Sequence, residues 1–179
     1  TDTFDVTTHM WRNETTKQTY GSLNAALVYY DENPDDSITV TLLGDYTECR
    51  ESSGVGWSFG RPSEQTNHYV LDLNGHTLTL SDSRIQIFGQ YKLTITGNGR
   101  INYQNSKHYA LFTSYKSGNA TVEIESGTII ADGSGIYQPY PGEENWSGVK
   151  FIMTGGTVVC TGATALSIYE RGDVEISGG

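Results

Sequence analysis

The chain has 179 residues, with 11 basic and 21 acidic side chains for a formal net charge of −10; that length predicts one domain able to form a core without metal or disulfide staples. The acidic balance excludes nucleic acid and anionic membrane as main partners, since both are held by basic patches, and no apolar run approaches the roughly 18 residues of a membrane span, so no membrane insertion is expected. Two cysteines are too few for a disulfide framework, and 21 glycines and 12 tyrosines beside 4 prolines fit a turn-rich all-β chain.

In chain order, Phe4–Val6 reads as a short strand. Ser22 is a good N-cap, and Leu23, Ala26, Leu27 and Tyr30 follow at i, i+3, i+4 and i+7, the stripe of an amphipathic helix. Asn33-Pro34 ends it. Ile38-x-Val40-x-Leu42, alternating with threonine, reads as a strand. Residues 1–43 thus form an N-terminal cap, and residues 44–179 carry a repeat.

Four segments of that repeat share one pattern: two apolar residues in alternation, a polar glycine turn, then a second alternating pair. They are Leu71-x-Leu73 with Leu78-x-Leu80, Leu93-x-Ile95 with Ile101-x-Tyr103, Val122-x-Ile124 with Ile129-x-Ala131, and Phe151-x-Met153 with Val158-x-Cys160. A fifth opens at Val174-x-Ile176. The first apolar positions are 22, 29, 29 and 23 residues apart. Third short strands fit at Ile85-x-Ile87, Leu111, Ile136 and Leu166-x-Ile168. Three strands per repeat describe one coil of a parallel β-helix of about five coils, stacked about 4.8 Å apart, with the helix over its first end. A β-sandwich would need hairpin turns between neighbouring strands; two-residue hairpin signals are few, and at Asn74-Gly75 the same bend recurs in each repeat.

The stretches GSLNAALVYYDENPDDSITVTLLGDYT and YVLDLNGHTLTL resemble the start of the right-handed parallel β-helix proteins of the pectate-lyase-like superfamily. The later IESGTII, MTGGTVV and VEISGG turns fit the same group. The likeness extends to secreted or surface-anchored proteins of Gram-positive gut bacteria, and it implies an extracellular location. It specifies fold more than activity, because the superfamily holds lyases, hydrolases, tailspikes and non-catalytic adhesins.

Two long segments interrupt the coils. Residues 44–67 carry Trp57 and Phe59, and residues 137–148 carry Tyr137, Tyr140 and Trp146. Each leads into the first strand of a coil, so both are expected along one edge of one sheet. Exposed aromatic rings there would stack on sugar or on a protein partner. Counting outward positions gives one column of Asp72, Thr94, Glu123, Ile152 and Glu175, and flanking columns that hold Glu125, Lys92 and Lys150. The resemblance implies that carboxylates on this face, here Asp72, Glu123 and Glu125, would bind Ca²⁺, with Lys150 as base and Glu123 and Glu125 as its acidic partners. Carboxylates on alternate coils are about 9–10 Å apart, too far for one ion without loop ligands, and no arginine lies in the columns.

These features lead to a non-catalytic binding or adhesion module, without a required cofactor, that recognises a glycan or a host surface protein. A polysaccharide lyase or glycoside hydrolase on the acidic face is the alternative, and a structural stalk the third reading. Cys160, in the inward column of Leu80, Tyr103 and Ala131, is expected buried and unpaired. The fifth coil stops at Gly179 before its second strand. Further coils are therefore expected to follow, and the open face is expected to associate end to end.

Overall fold

The computed structural model describes residues 9–27, 37–49, 57–59, 68–81, 83–88, 91–104, 112–115, 120–133, 135–137, 150–162, 164–168 and 172–179. The expected strand Phe4–Val6 lies outside them. The chain opens with β1 (Trp11–Asn13), β2 (Thr19–Tyr20) and α1 (Leu23–Leu27). Three-strand units follow: β3 (Ile38–Leu42), β4 (Tyr46–Cys49) and β5 (Trp57–Phe59), then β6 (His68–Asp72), β7 (Thr77–Ser81) and β8 (Ile85–Phe88). The third unit is β9 (Lys92–Thr96), β10 (Arg100–Gln104) and β11 (Phe112–Tyr115), and the fourth is β12 (Thr121–Ile124), β13 (Thr128–Ala131) and β14 (Ile136–Tyr137). Last come β15 (Lys150–Met153), β16 (Thr157–Cys160), β17 (Leu166–Ser167) and β18 (Asp173–Ile176).

The fold is all-β with one short helix. From β3 onward the strands enter three sheets in rotation, and each pairs in parallel with the strand three places later. The first sheet is β18-β15-β12-β9-β6-β3, extended past β3 by antiparallel β1 and β2. Alternation in the sequence becomes burial in the sheets, because successive side chains point to opposite faces. Ile38, Tyr69, Leu93, Val122 and Phe151 form one buried column of the first sheet, and Val40, Leu71, Ile95 and Ile124 the next. Leu78 with Ile101 and Ile129, and Leu80 with Tyr103 and Ala131, line the second sheet. From the second unit onward the turn from first to second sheet carries a left-handed residue, Gly75 in the second. Gly97, Gly127 and Gly156 supply it at φ 77, 90 and 81°. At Gly156 a side chain is doubly excluded, since a Cβ would lie 2.7 Å from the Gly127 carbonyl oxygen.

Beyond β3 the stack is covered. Trp11, Leu23 and Ala26 are fully buried, and α1 packs on β1, β2 and β3. Asn13 ties the pieces together: its Nδ2 donates to the Ala26 carbonyl at 2.8 Å, and its Oδ1 accepts from the amides of Thr15 and Thr16 at 2.9 and 3.1 Å. Ser22 Oγ accepts from the Ala25 amide at 3.2 Å, the cap expected of it. Only Leu23–Leu27 of the expected helix lies among the described residues; Tyr30 does not.

Several expectations need correction. The register of the second unit is shifted by two residues: Tyr69 pairs with Leu93 and Leu71 with Ile95, whereas Leu71 was expected beside Leu93. A two-residue shift keeps every side chain on its face, so the core survives while the outward columns are re-dealt. Residues 44–67 are not a simple interruption, because they contain β4 and β5, which belong to the second and third sheets. The third strand expected at Leu111 begins at Phe112, aligned with Ile85 and Ile136. Cys160 keeps its expected column beside Ala131 but is only half-buried, with Sγ donating to the Gly133 carbonyl.

Candidate functional site

The outward face of the first sheet gathers the polar side chains that the sequence placed there, in a new arrangement. After the register shift one column reads His68, Lys92, Thr121, Lys150 and Asp173. The next reads Thr39, Val70, Thr94, Glu123, Ile152 and Glu175. Asp72 leaves the Glu123 column and stands beside Thr96, with its Oδ1 accepting from the Asn74 amide at 2.8 Å. It therefore serves its own turn and does not converge with Glu123.

Thr94 is the centre of the site. It lies on β9 between β6 and β12, and only 2% of its surface is exposed. Its Oγ1 donates to Glu123 Oε2 at 3.0 Å and lies 2.9 Å from His68 Nε2. The same Glu123 oxygen accepts from Lys92 Nζ at 2.6 Å. Burial raises the Glu123 pKa, but the hydrogen bonds from Lys92 and Thr94, with the charges of Lys92 and His68, outweigh it and hold the group below the usual carboxylate range. Glu123 is thus an anion with no proton to give.

Proton counting then fixes the histidine. A threonine hydroxyl has one hydrogen, and in this chain it goes to Glu123. Thr94 meets His68 with a lone pair, so His68 Nε2 must carry the hydrogen. Burial lowers the His68 pKa first, and the Lys92 cation lowers it further, against smaller opposing effects of Glu123 and Glu125. At neutral pH the ring is therefore the Nε2–H tautomer with Nδ1 as its acceptor.

A second pair repeats part of this geometry. Lys150 Nζ lies 3.5 Å from Glu175 Oε2, with both side chains well exposed. Glu125 is exposed just past β12. Of the residues singled out from the sequence, Glu123 and Lys150 thus occupy this face on adjacent strands but each has a different partner. Trp57 and Phe59 fall on β5, in register with the buried Ile85 and Ile87, and Tyr137 on β14 aligns with Thr113. All three therefore belong to the third sheet and not to the edge of the first. Tyr140 and Trp146 lie outside the described residues; in the chain, Trp146 precedes Lys150 by four positions. Among the described residues, no group of three or more His, Cys, Asp or Glu side chains is placed to hold a metal ion.

The sequence missed His68 because the register was set from Leu71. Tyr69-x-Leu71 is an equally good alternating pair, and starting from it places His68 beside Lys92. Among the described residues no helix is long and apolar enough to cross a membrane. No family model, curated protein or solved structure matches the chain.

Proposed function

We propose that the chain is a right-handed parallel β-helix that acts as a non-catalytic binding module, secreted or at a bacterial cell surface, with a glycan as its ligand. The rotation of strands through three parallel sheets supports the architecture. The observation that carries the function is the fixed polar strip on the first sheet. Donor and acceptor groups of Lys92, Thr94 and Glu123 are held by one another within hydrogen-bonding distance on the face of a sheet. A preorganised strip of this kind loses little side-chain freedom when it takes up a sugar hydroxyl.

A glycan array run with the 179-residue chain, alongside an absorbance assay for unsaturated uronate product, tests this reading. Specific binding without turnover is expected. Unsaturated product would favour the second reading as a polysaccharide lyase, and new reducing ends without it a glycoside hydrolase; either draws on the neutral His68 imidazole and the ionised Glu123 that flank Thr94. In that event His68→Gln abolishes the activity. Silence in both assays removes the binding reading.

A further inference from the structure

We infer that the outward face of the first sheet takes a neutral, β-1,4-linked polysaccharide laid across the strands, with one disaccharide repeat on each of two lysine–glutamate pairs that share one diagonal. This rests on the glycan-binding reading and narrows it to a substrate class and a direction.

The two pairs share one backbone placement, the first closer and more buried than the second. Lys92 heads β9, and its partner Glu123 stands on β12, two residues past Thr121, which is aligned with Lys92. Lys150 heads β15, and its partner Glu175 stands on β18, two residues past Asp173, which is aligned with Lys150. The same diagonal therefore recurs after two strands, a translation of about 9.6 Å at the ordinary strand spacing. In an extended β-1,4-linked polysaccharide successive sugars are flipped, so the same hydroxyl edge returns every second sugar. The length of that disaccharide matches two strand spacings. Between the pairs stands Ile152, in line with Glu123 and Glu175 and partly exposed. It gives an apolar ledge where the C–H face of the intervening sugar would rest.

The charge pattern selects the class. Each pair is neutral in itself, while the chain as a whole carries −10. A polyuronate meets a repulsive field and finds each ammonium already matched. A sugar hydroxyl, in contrast, donates to a carboxylate and accepts from an ammonium at once. Glu123 Oε1 has no hydrogen-bond partner among the described residues, and so remains an acceptor within an otherwise committed pair.

The test is calorimetric titration of the 179-residue chain with cello-, manno- and chito-oligosaccharides, from disaccharide to hexasaccharide, and with oligogalacturonates of the same lengths. For a neutral series, affinity should rise by about tenfold or more from disaccharide to tetrasaccharide, as the second pair is filled at high effective concentration, and then level off. Lys150→Met combined with Glu175→Gln should bring tetrasaccharide binding down to the disaccharide level and leave disaccharide binding on the other pair. This exposed pair is chosen because its loss spares Thr94 and the fold; a thermal melt checks that. Lys92→Met, tested alone, should reduce tetrasaccharide binding in the same way. Neutral binding that shows no length step, or that ignores both pairs, overturns the inference. Binding of oligogalacturonate alone also overturns it while leaving the glycan reading in place. If no oligosaccharide of either class binds and the array is silent, the glycan reading itself falls.

Discussion

Replacing Thr94 with valine tests the central contact of the site. The two side chains have nearly the same shape, so the change removes a hydroxyl without opening a cavity. The hydroxyl donates to an ionised carboxylate, a bond that contributes about 1.5–3 kcal/mol. Its loss also removes the acceptor that Thr94 offers to the half-buried His68 ring. Valine's better fit to a strand returns less than about 1 kcal/mol. The net expectation is a loss of about 1–3 kcal/mol in urea unfolding, or roughly 2–12 °C in Tm for a chain of this size. Thr96→Val is the control: it lies on the same strand and face, but its hydroxyl is 3.5 Å from Ser126 Oγ and only half-buried. It should change stability by no more than about 0.5 kcal/mol. Nitrogen NMR of the His68 ring supplies a second readout, with the Nε2–H form dominant in the parent and a tautomer mixture in Thr94→Val. Equal costs for the two valine variants, or a parent ring protonated on Nδ1 alone, would refute the reasoning.

The remaining predictions concern the frame around the site. Ile124→Ala, fully buried between Ile95 and Met153, should cost about 2–5 kcal/mol, while Glu125→Ala, on the exposed side, should stay within about 0.5 kcal/mol in the same denaturant melts. Stability should fall with acid in two stages. The folded His68 pKa is lowered from 6.5, so the unfolded chain takes up its proton first and stability declines as pH drops through that value. Glu14, lowered from 4.5 to about 2 by Lys17, Thr41 and Arg12 against burial, adds a loss between those two values, which Glu14→Gln should flatten. Cys49 on β4 and Cys160 on β16 are four strands apart in one sheet, about 19 Å and far beyond the roughly 7 Å reach of a disulfide. Thiol titration after denaturation should therefore count both cysteines as free.

What the sequence made readable was whatever period two controls. Leu93-x-Ile95 and Val122-x-Ile124 specify an inner face regardless of their exact neighbours, because an even shift in register returns the same side inward. For that reason the inward face is correct even though the second unit is placed two residues off and Leu71 changes column. The outward face has no such protection. Which carboxylate meets which lysine depends on the true register, so Asp72 was put with Glu123, and His68 was missed. The cap is legible through its helix, but its two strands are not, for a different reason. Trp11–Asn13 and Thr19–Tyr20 are too short to show alternation, and the residue that joins them to the helix, Asn13, acts through a fully buried side chain. Nothing in the local pattern separates such an asparagine from an ordinary turn residue.

The antiparallel cover on β3 also gives the fold an order in time. Trp11 and Tyr20, paired across β1 and β2, are nine residues apart, whereas His68 and Lys92, paired across parallel strands, are 24 apart. Closing the shorter loop costs less entropy, so the hairpin can form before any parallel pair. It is also the part of this segment that leaves the ribosome first. Docking β3 on it is the costlier step, since Trp11 and Leu42 are 31 residues apart; after that step each later unit meets a finished edge that dictates its register, as a crystal face dictates the next layer. Errors are then inherited in one direction. A lesion in β1 or Asn13 deprives every later unit of its template, while one in β15 troubles little besides β18. Two substitutions of equal cost to the folded state should therefore differ widely in how much of the chain folds at all, and the difference should follow their distance from the cover.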